Sequence, residues 1–457
     1  VHSHGDARIM SYPSAPNKVK QGITTILMGN CGSTLAPLSE KNLPNMKSRY
    51  ERLSLSWDWR SFEEYLDALS KKDLGINVAC LVGHGTIRSV VMGYADRKPT
   101  REEFSEMKQL LAESLAGGAM GLSTGLGYSP GMYADTEELV ALGEILSKYN
   151  GIYASHLRNQ GSELLEATQE AIEVGNPNDV PIQLSHYKAT GDHWDTLDDA
   201  FQLIEEHREK GIEVNFDAYP YHASSSSMQS VLPSWAREGG EKEILTRLKD
   251  ASKRDRIIEE MRERDIDWQT LMLSYSKTYK TDEGKRIAEL AEEKGRDPYE
   301  FFIDLLLEDD LTTRRVTFCM KARNIPKKLR HPLCSVGSDG GIHTPSLEGK
   351  PHPRYYGAFP RVIAKYVREG ALRLEDAIRK MTALPAQQIG LQERGIIKKG
   401  MIADIVLFDY KTIKDTATFQ QPKRFPKGIE AVLVNGNVVV KNGEFTKKRP
   451  GKVIKNT

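Results

Sequence analysis

Residues 151–186 read GIYASHLRNQGSELLEATQEAIEVGNPNDVPIQLSH, and this stretch indicates the fold. Short apolar runs at residues 151–155 and 180–185 predict buried strands, and residues 162–174 between them predict a helix. Each predicted strand ends at a histidine, His156 in the first case and His186 in the second. A strand–helix–strand unit of this kind is typical of proteins with a parallel β-sheet.

The same alternation of strands and helices recurs along most of the chain. Further strands are predicted at residues 24–29, 77–82, 121–124, 212–218 and 333–337. Together with a truncated strand at Val1–His4, the pattern favours a (β/α)8 barrel of the TIM type. An open doubly wound sheet is the alternative, but no Gly-x-Gly-x-x-Gly opens an early βα unit to support it.

Two regions depart from the alternation and predict the domain organisation. Residues 220–330 are highly charged and mostly helical by pattern, most clearly at 241–264 and 283–307, and we interpret them as an insertion into a barrel of residues 1–390. Residues 391–457 contain short strands and the hairpin signal Asn435-Gly436. We expect them to be the C-terminal part of a small β-sandwich domain, completed by an N-terminal segment that precedes Val1.

The composition excludes several classes of protein. The 457 residues include 64 basic and 63 acidic side chains, a net charge of +1, which gives no basic stripe for nucleic acid. No window approaches 18 uninterrupted apolar residues, so we expect no membrane-spanning helix. Four cysteines are too few for a disulfide framework, and we expect thiols and a cytoplasmic location. The expected partner is a small-molecule substrate, and the oligomeric state stays open.

Six potential metal ligands lie at predicted strand ends. His2 and His4, two residues apart on an extended segment, point to the same side. The other four follow predicted strands and are Cys31, His156, His186 and Asp339. Strand ends of a barrel meet on one face. Imidazole, thiolate and carboxylate are ligands of zinc, and the set could hold one metal or two. Zinc would turn bound water into hydroxide, and a carboxylate beside it could move the proton to a leaving group, as amide hydrolysis requires.

Several longer stretches show a resemblance that covers essentially the whole chain. They are Val1-His2-Ser3-His4, Gly29-Asn30-Cys31-Gly32, Gly83-His84-Gly85-Thr86-Ile87-Arg88, Gly121-Leu122-Ser123-Thr124-Gly125-Leu126, Ser155-His156-Leu157-Arg158-Asn159, Leu184-Ser185-His186, Asp217-Ala218-Tyr219-Pro220-Tyr221, Ser338-Asp339-Gly340 and His352-Pro353-Arg354. In these stretches the chain resembles the amidohydrolase superfamily and, within it, the N-acyl-D-amino-acid deacylases (D-aminoacylases). Cys31 is the most specific feature, because many amidohydrolases place a carboxylated lysine at the corresponding position. Residues 316–323 depart from the family pattern.

The resemblance implies a role for each matching residue. Cys31, His156 and His186 would hold a tightly bound zinc, while His2, His4 and Asp339 would border a second, weaker site. Asp339 would be the general base and then the general acid. The substrate's α-carboxylate would be bound by Lys188, Tyr219, Ser225 and Arg354. For His84 and Arg88 we expect packing or support of the site, not ligation.

The implied activity is zinc-dependent hydrolysis of N-acyl-D-amino acids to a carboxylate and a free D-amino acid. A cyclic-amide hydrolase of the hydantoinase or dihydroorotase type is the first alternative, against which Cys31 argues. The second alternative is a non-catalytic scaffold with an amidohydrolase-like barrel. Such a scaffold would be expected to lose metal ligands, yet all six candidates are present.

Overall fold

A computed structural model of the protein describes residues 1–456 of the chain. The strands are β1 (Ser3–His4), β2 (Thr25–Met28), β3 (Asn77–Cys80), β4 (Val82–Gly83), β5 (Gly121–Gly125), β6 (Ile152–His156), β7 (Ile182–Leu184), β8 (Val214–Ala218), β9 (Ser224–Ser227), β10 (Leu271–Tyr275), β11 (Arg314–Thr317), β12 (Cys334–Val336), β13 (Gly340–Gly341), β14 (Ile405–Phe408), β15 (Ile429–Val434), β16 (Asn437–Lys441), β17 (Glu444–Phe445) and β18 (Val453–Ile454).

The α-helices lie mostly between these strands. They are α1 (Asp6–Ser11), α2 (Pro16–Val19), α3 (Leu43–Arg49), α4 (Phe62–Ser70), α5 (His84–Met92), α6 (Arg101–Ala116), α7 (Thr136–Lys148), α8 (Leu164–Gly175), α9 (Leu197–Glu209), α10 (Glu241–Lys249), α11 (Ala251–Glu263), α12 (Ile287–Glu293), α13 (Pro298–Glu308), α14 (Asn324–Arg330), α15 (Arg354–Arg361), α16 (Leu374–Met381) and α17 (Ala383–Gln388). A turn of π-helix, Val362–Val367, continues α15.

Parallel strands form the barrel that the sequence pattern predicts. A six-stranded sheet has the order β12-β8-β7-β6-β5-β4, and β4 continues the line of β3, which pairs with β2. Just after β12, β13 pairs with β1 through Ser3↔Gly340 and His4↔Gly341. This pairing links the last barrel strand to the first. Most residues of the barrel strands are buried, which explains why they appear in the sequence as continuous apolar runs.

The insertion contains a sheet that the sequence pattern did not predict. Strands β9, β10 and β11 form a three-stranded antiparallel sheet in the order β10-β11-β9. The long helix predicted at 241–264 is instead α10 and α11, because Asp250 lies between them in an extended conformation and caps α11 through the amide of Lys253. The helix predicted at 283–307 is likewise divided into α12 and α13, with Gly295 and Pro298 at the break.

The C-terminal strands β14 to β17 form a four-stranded antiparallel sheet. Asn435 and Gly436 form the predicted two-residue hairpin between β15 and β16, both with positive φ. Apolar side chains of this sheet, including Val432 and Val440, belong to the same buried cluster as the barrel core. The domain division at residue 390 stays a prediction. Within residues 1–456, no helix has the length and apolar character needed to cross a membrane.

Candidate active site

The six predicted ligands meet at one end of the barrel. His4 and His156 are the last residues of β1 and β6, and His186 follows β7 by two residues. Cys31 and Asp339 each lie three residues beyond a barrel strand, β2 and β12 respectively. These are the carboxyl ends of parallel strands, where barrel enzymes place their chemistry.

Local backbone geometry turns Cys31 toward this end. Gly29 follows β2 with a φ of 75°, and a Cβ atom at this position would lie 2.0 Å from the carbonyl oxygen of Leu81. Only glycine fits there, so the chain can make the tight turn that presents Cys31. The amide of Gly29 donates a 2.8 Å hydrogen bond to Asp6, which anchors the turn.

Imidazole nitrogens surround the thiol of Cys31. Its Sγ lies 3.5 Å from His2 Nε2, 3.5 Å from His186 Nε2 and 3.7 Å from His156 Nδ1. Ligands of a tetrahedral zinc ion have sulfur–nitrogen separations of about 3.5 Å, given zinc bond lengths of about 2.3 and 2.05 Å. The donor set therefore fits zinc. His2 lies as close to the thiol as His186 does, so the geometry brings His2 into the group around Cys31 as well.

A second group shares His2 and lies beside the first. Asp339 Oδ1 lies 3.2 Å from His4 Nε2 and 3.7 Å from His2 Nε2. The other carboxylate oxygen, Oδ2, forms a 2.6 Å ion pair with Arg354. Asp339 thus lies between the histidines and a buried guanidinium, with one oxygen toward each.

Burial controls protonation in this cluster. It lowers the pKa of His156 to about 3 and that of His186 well below its ordinary value, with the charge of Lys188 contributing to both shifts. Both imidazoles are therefore neutral, the form that binds metals. Burial also raises the pKa of the Cys31 thiol, so its thiolate needs a cation beside it. For Asp339, burial alone would raise the pKa, but the charge of Arg354 holds it well below the ordinary range.

Three of the six residues have a strained backbone. Cys31, His186 and Asp339 adopt left-handed conformations with φ values of 55°, 39° and 46°. This region costs a non-glycine L-residue about 1–2 kcal/mol, and such strain clusters at functional sites. The fold holds these three side chains in orientations that their own backbone preference would not select.

Two supporting polar side chains, Asp217 and Lys18, were missed by the sequence predictions. Asp217, at β8, lies 3.3 Å from His2 Nδ1 and accepts a 3.0 Å hydrogen bond from the amide of His186, so it orients both histidines. Its place near a predicted strand end was the available signal. Lys18 is fully buried and donates to Ser338 Oγ at 2.8 Å and to the Gly340 carbonyl at 2.6 Å, on either side of Asp339. Nothing in the polar stretch around Lys18 indicates this role.

The predicted carboxylate-binding residues converge on the ring of Tyr219. Lys188 Nζ lies 5.9 Å and the Arg354 guanidinium 4.6 Å from the ring centroid. The Tyr219 hydroxyl is buried without a hydrogen-bond partner within residues 1–456. Ser225 enters this group through its carbonyl, which accepts a 3.4 Å hydrogen bond from Arg354. A third cation, Lys328, was not predicted; it is 2% exposed and lies 5.9 Å from the same ring.

His84 and Arg88 form a buried ion cluster with Glu138. His84 Nε2 lies 2.7 Å from Glu138 Oε1, and Arg88 binds the other carboxylate oxygen. Both residues belong to α5, whose Thr86 amide donates a 3.1 Å hydrogen bond to the carbonyl of Gly32, next to Cys31. Within residues 1–456, no hydrogen bond or ion pair joins this cluster to the predicted ligands.

Comparisons with known proteins agree with this geometry. The amidohydrolase family matches residues 1–440. A D-aminoacylase from Alcaligenes xylosoxydans xylosoxydans is 34% identical over 100% of this chain and 86% of its own length. An N-acyl-D-aspartate deacylase from the same organism is 34% identical over 99% of this chain and 83% of its own. The solved structure of an N-acyl-D-glutamate deacylase from Bordetella bronchiseptica, in complex with zinc and a phosphonate inhibitor, is similar with a TM-score of 0.84 at 31% identity, covering 99% of this chain and 87% of that chain.

Proposed function

Because this chain belongs to the amidohydrolase family, we propose that it is a zinc-dependent deacylase that hydrolyses N-acyl-D-amino acids to a carboxylate and a free D-amino acid. The observation that carries the proposal is the cysteine–histidine cluster lying beside Asp339 and next to the cationic group around Tyr219. The cysteine–histidine cluster is suited to holding a zinc ion that polarises an amide, and the cationic group is suited to binding an α-carboxylate.

Cys31, His156 and His186 would hold a tightly bound zinc ion, with His2 close enough to join them and His4 and Asp339 bordering a weaker site. Zinc at this position would polarise the acyl carbonyl and lower the pKa of a water molecule. Asp217 contributes by holding the imidazole of His2 and the backbone amide of His186, so both residues are positioned before the metal binds.

Asp339 moves the proton in this mechanism. It accepts a proton from the attacking water as the carbon–oxygen bond forms, and it then donates this proton to the amide nitrogen as the carbon–nitrogen bond breaks. Oδ1 is the oxygen suited to this transfer, because Oδ2 is held by Arg354. Lys18 holds the hydroxyl of Ser338 and the carbonyl of Gly340, the two neighbours of Asp339, and so keeps the carboxylate in place.

The α-carboxylate of the substrate is bound by Lys188, Tyr219 and Arg354, with Ser225 placing the guanidinium through its carbonyl. A planar guanidinium can bind one carboxylate in a bidentate manner or share itself between two. When Arg354 also binds the substrate carboxylate, its electrostatic stabilisation of the Asp339 carboxylate weakens. Substrate binding would therefore raise the basicity of Asp339 at the moment when a base is needed.

The test uses the full-length, zinc-loaded enzyme with racemic N-acetylmethionine and racemic N-acetylglutamate, with chiral separation of the released amino acids. Release of the D-enantiomer alone, abolished by a chelator and restored by zinc, is the expected result. Hydantoins and dihydroorotate serve as controls for the cyclic-amide alternative. Release of an L-amino acid, hydrolysis of cyclic amides alone, or no release from any compound would refute the proposal.

A further inference from the structure

Two arginines, Arg237 and Arg315, lie near Tyr128, whose ring contacts one of the predicted metal ligands. The ring of Tyr128 packs on His156 with centroids 4.6 Å apart. Arg237 donates a 3.0 Å hydrogen bond to the carbonyl of Gly127, the residue preceding Tyr128. Burial raises the pKa of Tyr128 to about 12, while the nearby charge of Arg315 opposes this shift. Arg237 is thus fixed beside the residue that precedes Tyr128, and Arg315, hydrogen-bonded to Ser230, lies in the same region.

Neither arginine has a carboxylate partner. Among residues 1–456, no acidic side chain forms an ion pair with Arg237 or Arg315. The Nε atom of each is buried and lacks a hydrogen-bond partner in the same part of the chain. The other guanidinium nitrogens of Arg315 donate hydrogen bonds to the neutral hydroxyls of Thr317 and Ser230. Both side chains are half-buried, and a bound anion would pair the buried Nε donors that otherwise lack a partner.

The arginines adjoin the group that is proposed to bind the α-carboxylate. Arg315 on β11 is directly opposite Ser226 on β9, and the next pair along these strands includes Ser225. Arg354, which binds the Ser225 carbonyl, lies near both Tyr219 and Tyr128. A substrate whose α-carboxylate is bound beside Tyr219 could therefore extend its side chain from the α-carbon toward Tyr128.

The balance of charge exceeds what one carboxylate can neutralise. Four basic side chains lie near Tyr219 and Tyr128, namely Lys188, Arg354, Arg237 and Arg315. Burial lowers the pKa of a fifth, Lys328, to about 7, so it is only partly charged near neutral pH. The acidic groups closest to them, Asp339 and Asp217, are already engaged by Arg354 and His2. An N-acyl amino acid with a neutral side chain brings one negative charge, whereas an acidic one brings two.

From this arrangement we propose that Arg237 and Arg315 bind a second carboxylate, that of the substrate side chain, so that the preferred substrates are N-acyl-D-glutamate or N-acyl-D-aspartate. The inference rests on the proposed deacylase function and narrows it to acidic substrates. Sequence identity does not decide this point, because the D-aminoacylase and the N-acyl-D-aspartate deacylase are equally identical to the chain.

The first experiment compares pairs of substrates of the same shape and different charge. The zinc-loaded full chain is given N-acetyl-D-glutamate and N-acetyl-D-glutamine, and then the aspartate and asparagine pair. We expect kcat/KM to favour the acid by at least about 30-fold, since a site built for a charged group rejects an analogue that leaves its buried donors unpaired.

The second experiment replaces the arginines. Arg315→Gln and Arg237→Gln should each lower kcat/KM for N-acetyl-D-glutamate by roughly 30- to 100-fold while changing the value for N-acetyl-D-glutamine less than about threefold. Arg315→Lys keeps the charge and should recover part of the preference. Arg264→Gln is the matched control, because Arg264 is a nearby exposed arginine that binds only the Val231 carbonyl.

The outcomes separate the two proposals. Faster hydrolysis of the neutral substrates, or an unchanged acid-to-amide ratio in folded Arg315→Gln and Arg237→Gln, would overturn the acidic-substrate inference and leave the deacylase function standing. Should Arg264→Gln change the ratio as much as Arg315→Gln, the preference would come from the general field of the region, and the assignment to these two arginines would be wrong. Failure to hydrolyse every N-acyl-D-amino acid would refute the function, and the inference with it.

Discussion

Replacing Glu138 with glutamine should destabilise the protein by about 3 kcal/mol, and the structure gives the reason. The side chain of Arg88 is fully buried and that of Glu138 is 4% exposed. The substitution removes the charge that compensates Arg88 but keeps an oxygen that can accept a hydrogen bond. Loss of one partner from a buried ion pair costs about 3–5 kcal/mol, and the retained acceptor places this change at the lower end.

The destabilisation caused by Glu138→Gln should depend on pH, because the pKa of Glu138 differs between the folded and unfolded states. Burial alone would raise the pKa of Glu138, but the hydrogen bond from His84 and the charges of His84 and Arg88 hold it below its ordinary value of 4.5. A carboxyl group with a lowered folded-state pKa stabilises the protein above pH 4.5 and loses this contribution as the pH falls through the folded-state value. The difference between wild type and Glu138→Gln should therefore be largest near pH 7 and shrink below pH 4.5.

Urea denaturation of the zinc-saturated protein, followed by tryptophan fluorescence, measures the effect, with the slope m serving as a check that the unfolding transition is unchanged. Asp376→Asn, which breaks the exposed Arg373–Asp376 pair, is the control and should leave the midpoint unchanged. A double-mutant cycle with Arg88→Met isolates the interaction. A loss below about 1 kcal/mol, or equal losses with and without Arg88, would refute the reasoning.

Three further predictions concern the site itself. Cys31→Ala should abolish tight zinc retention through dialysis, measured by metal analysis, while Cys80→Ala keeps zinc because Cys80 is an ordinary buried thiol away from the ligands. Asp339→Asn should lower kcat by about 10²–10⁴-fold with zinc still bound at the cysteine group, and a variant of undiminished turnover would contradict its role in proton transfer. Lys18→Met should lower kcat roughly 10- to 100-fold through displacement of Asp339, with KM and zinc content nearly unchanged. Partial recovery in Lys18→Arg would support a positioning role for Lys18, whereas equal loss of zinc would indicate general damage to the fold.

The barrel could be predicted from sequence because its signals are local. Parallel strands buried on both faces leave short apolar runs, and helices such as α6 carry a regular apolar stripe. Four of the six ligand predictions, Cys31, His156, His186 and Asp339, rest on the same signal, since each follows such a run, whereas His2 and His4 rest on their spacing. The fold class and the deacylase resemblance are confirmed by the structure and by the relatives.

What could not be predicted depends on partners that are distant in the chain. Strand β9 consists of four serines, and β11 begins with two arginines, so neither has an apolar pattern; pairing with each other and with β10 makes them strands. Asp217 acquires its role from a histidine 215 positions away, and Lys18 from a loop more than 300 positions away. Arg315 lies next to the departure from the family pattern at residues 316–323, but only the folded chain places it beside Tyr128.

The left-handed backbone at Cys31, His186 and Asp339 bears on how this enzyme can be engineered. Each position would gain stability from glycine or asparagine, which accept that conformation at little cost. A redesign guided by thermal stability alone would therefore favour replacing the very side chains that are proposed to bind metal and move protons. Cys31 alone holds about 1–2 kcal/mol of this strain, and His186 and Asp339 hold less, because histidine and aspartate adopt left-handed conformations more readily. Libraries that select for heat resistance should hold these codons fixed and seek their gains elsewhere.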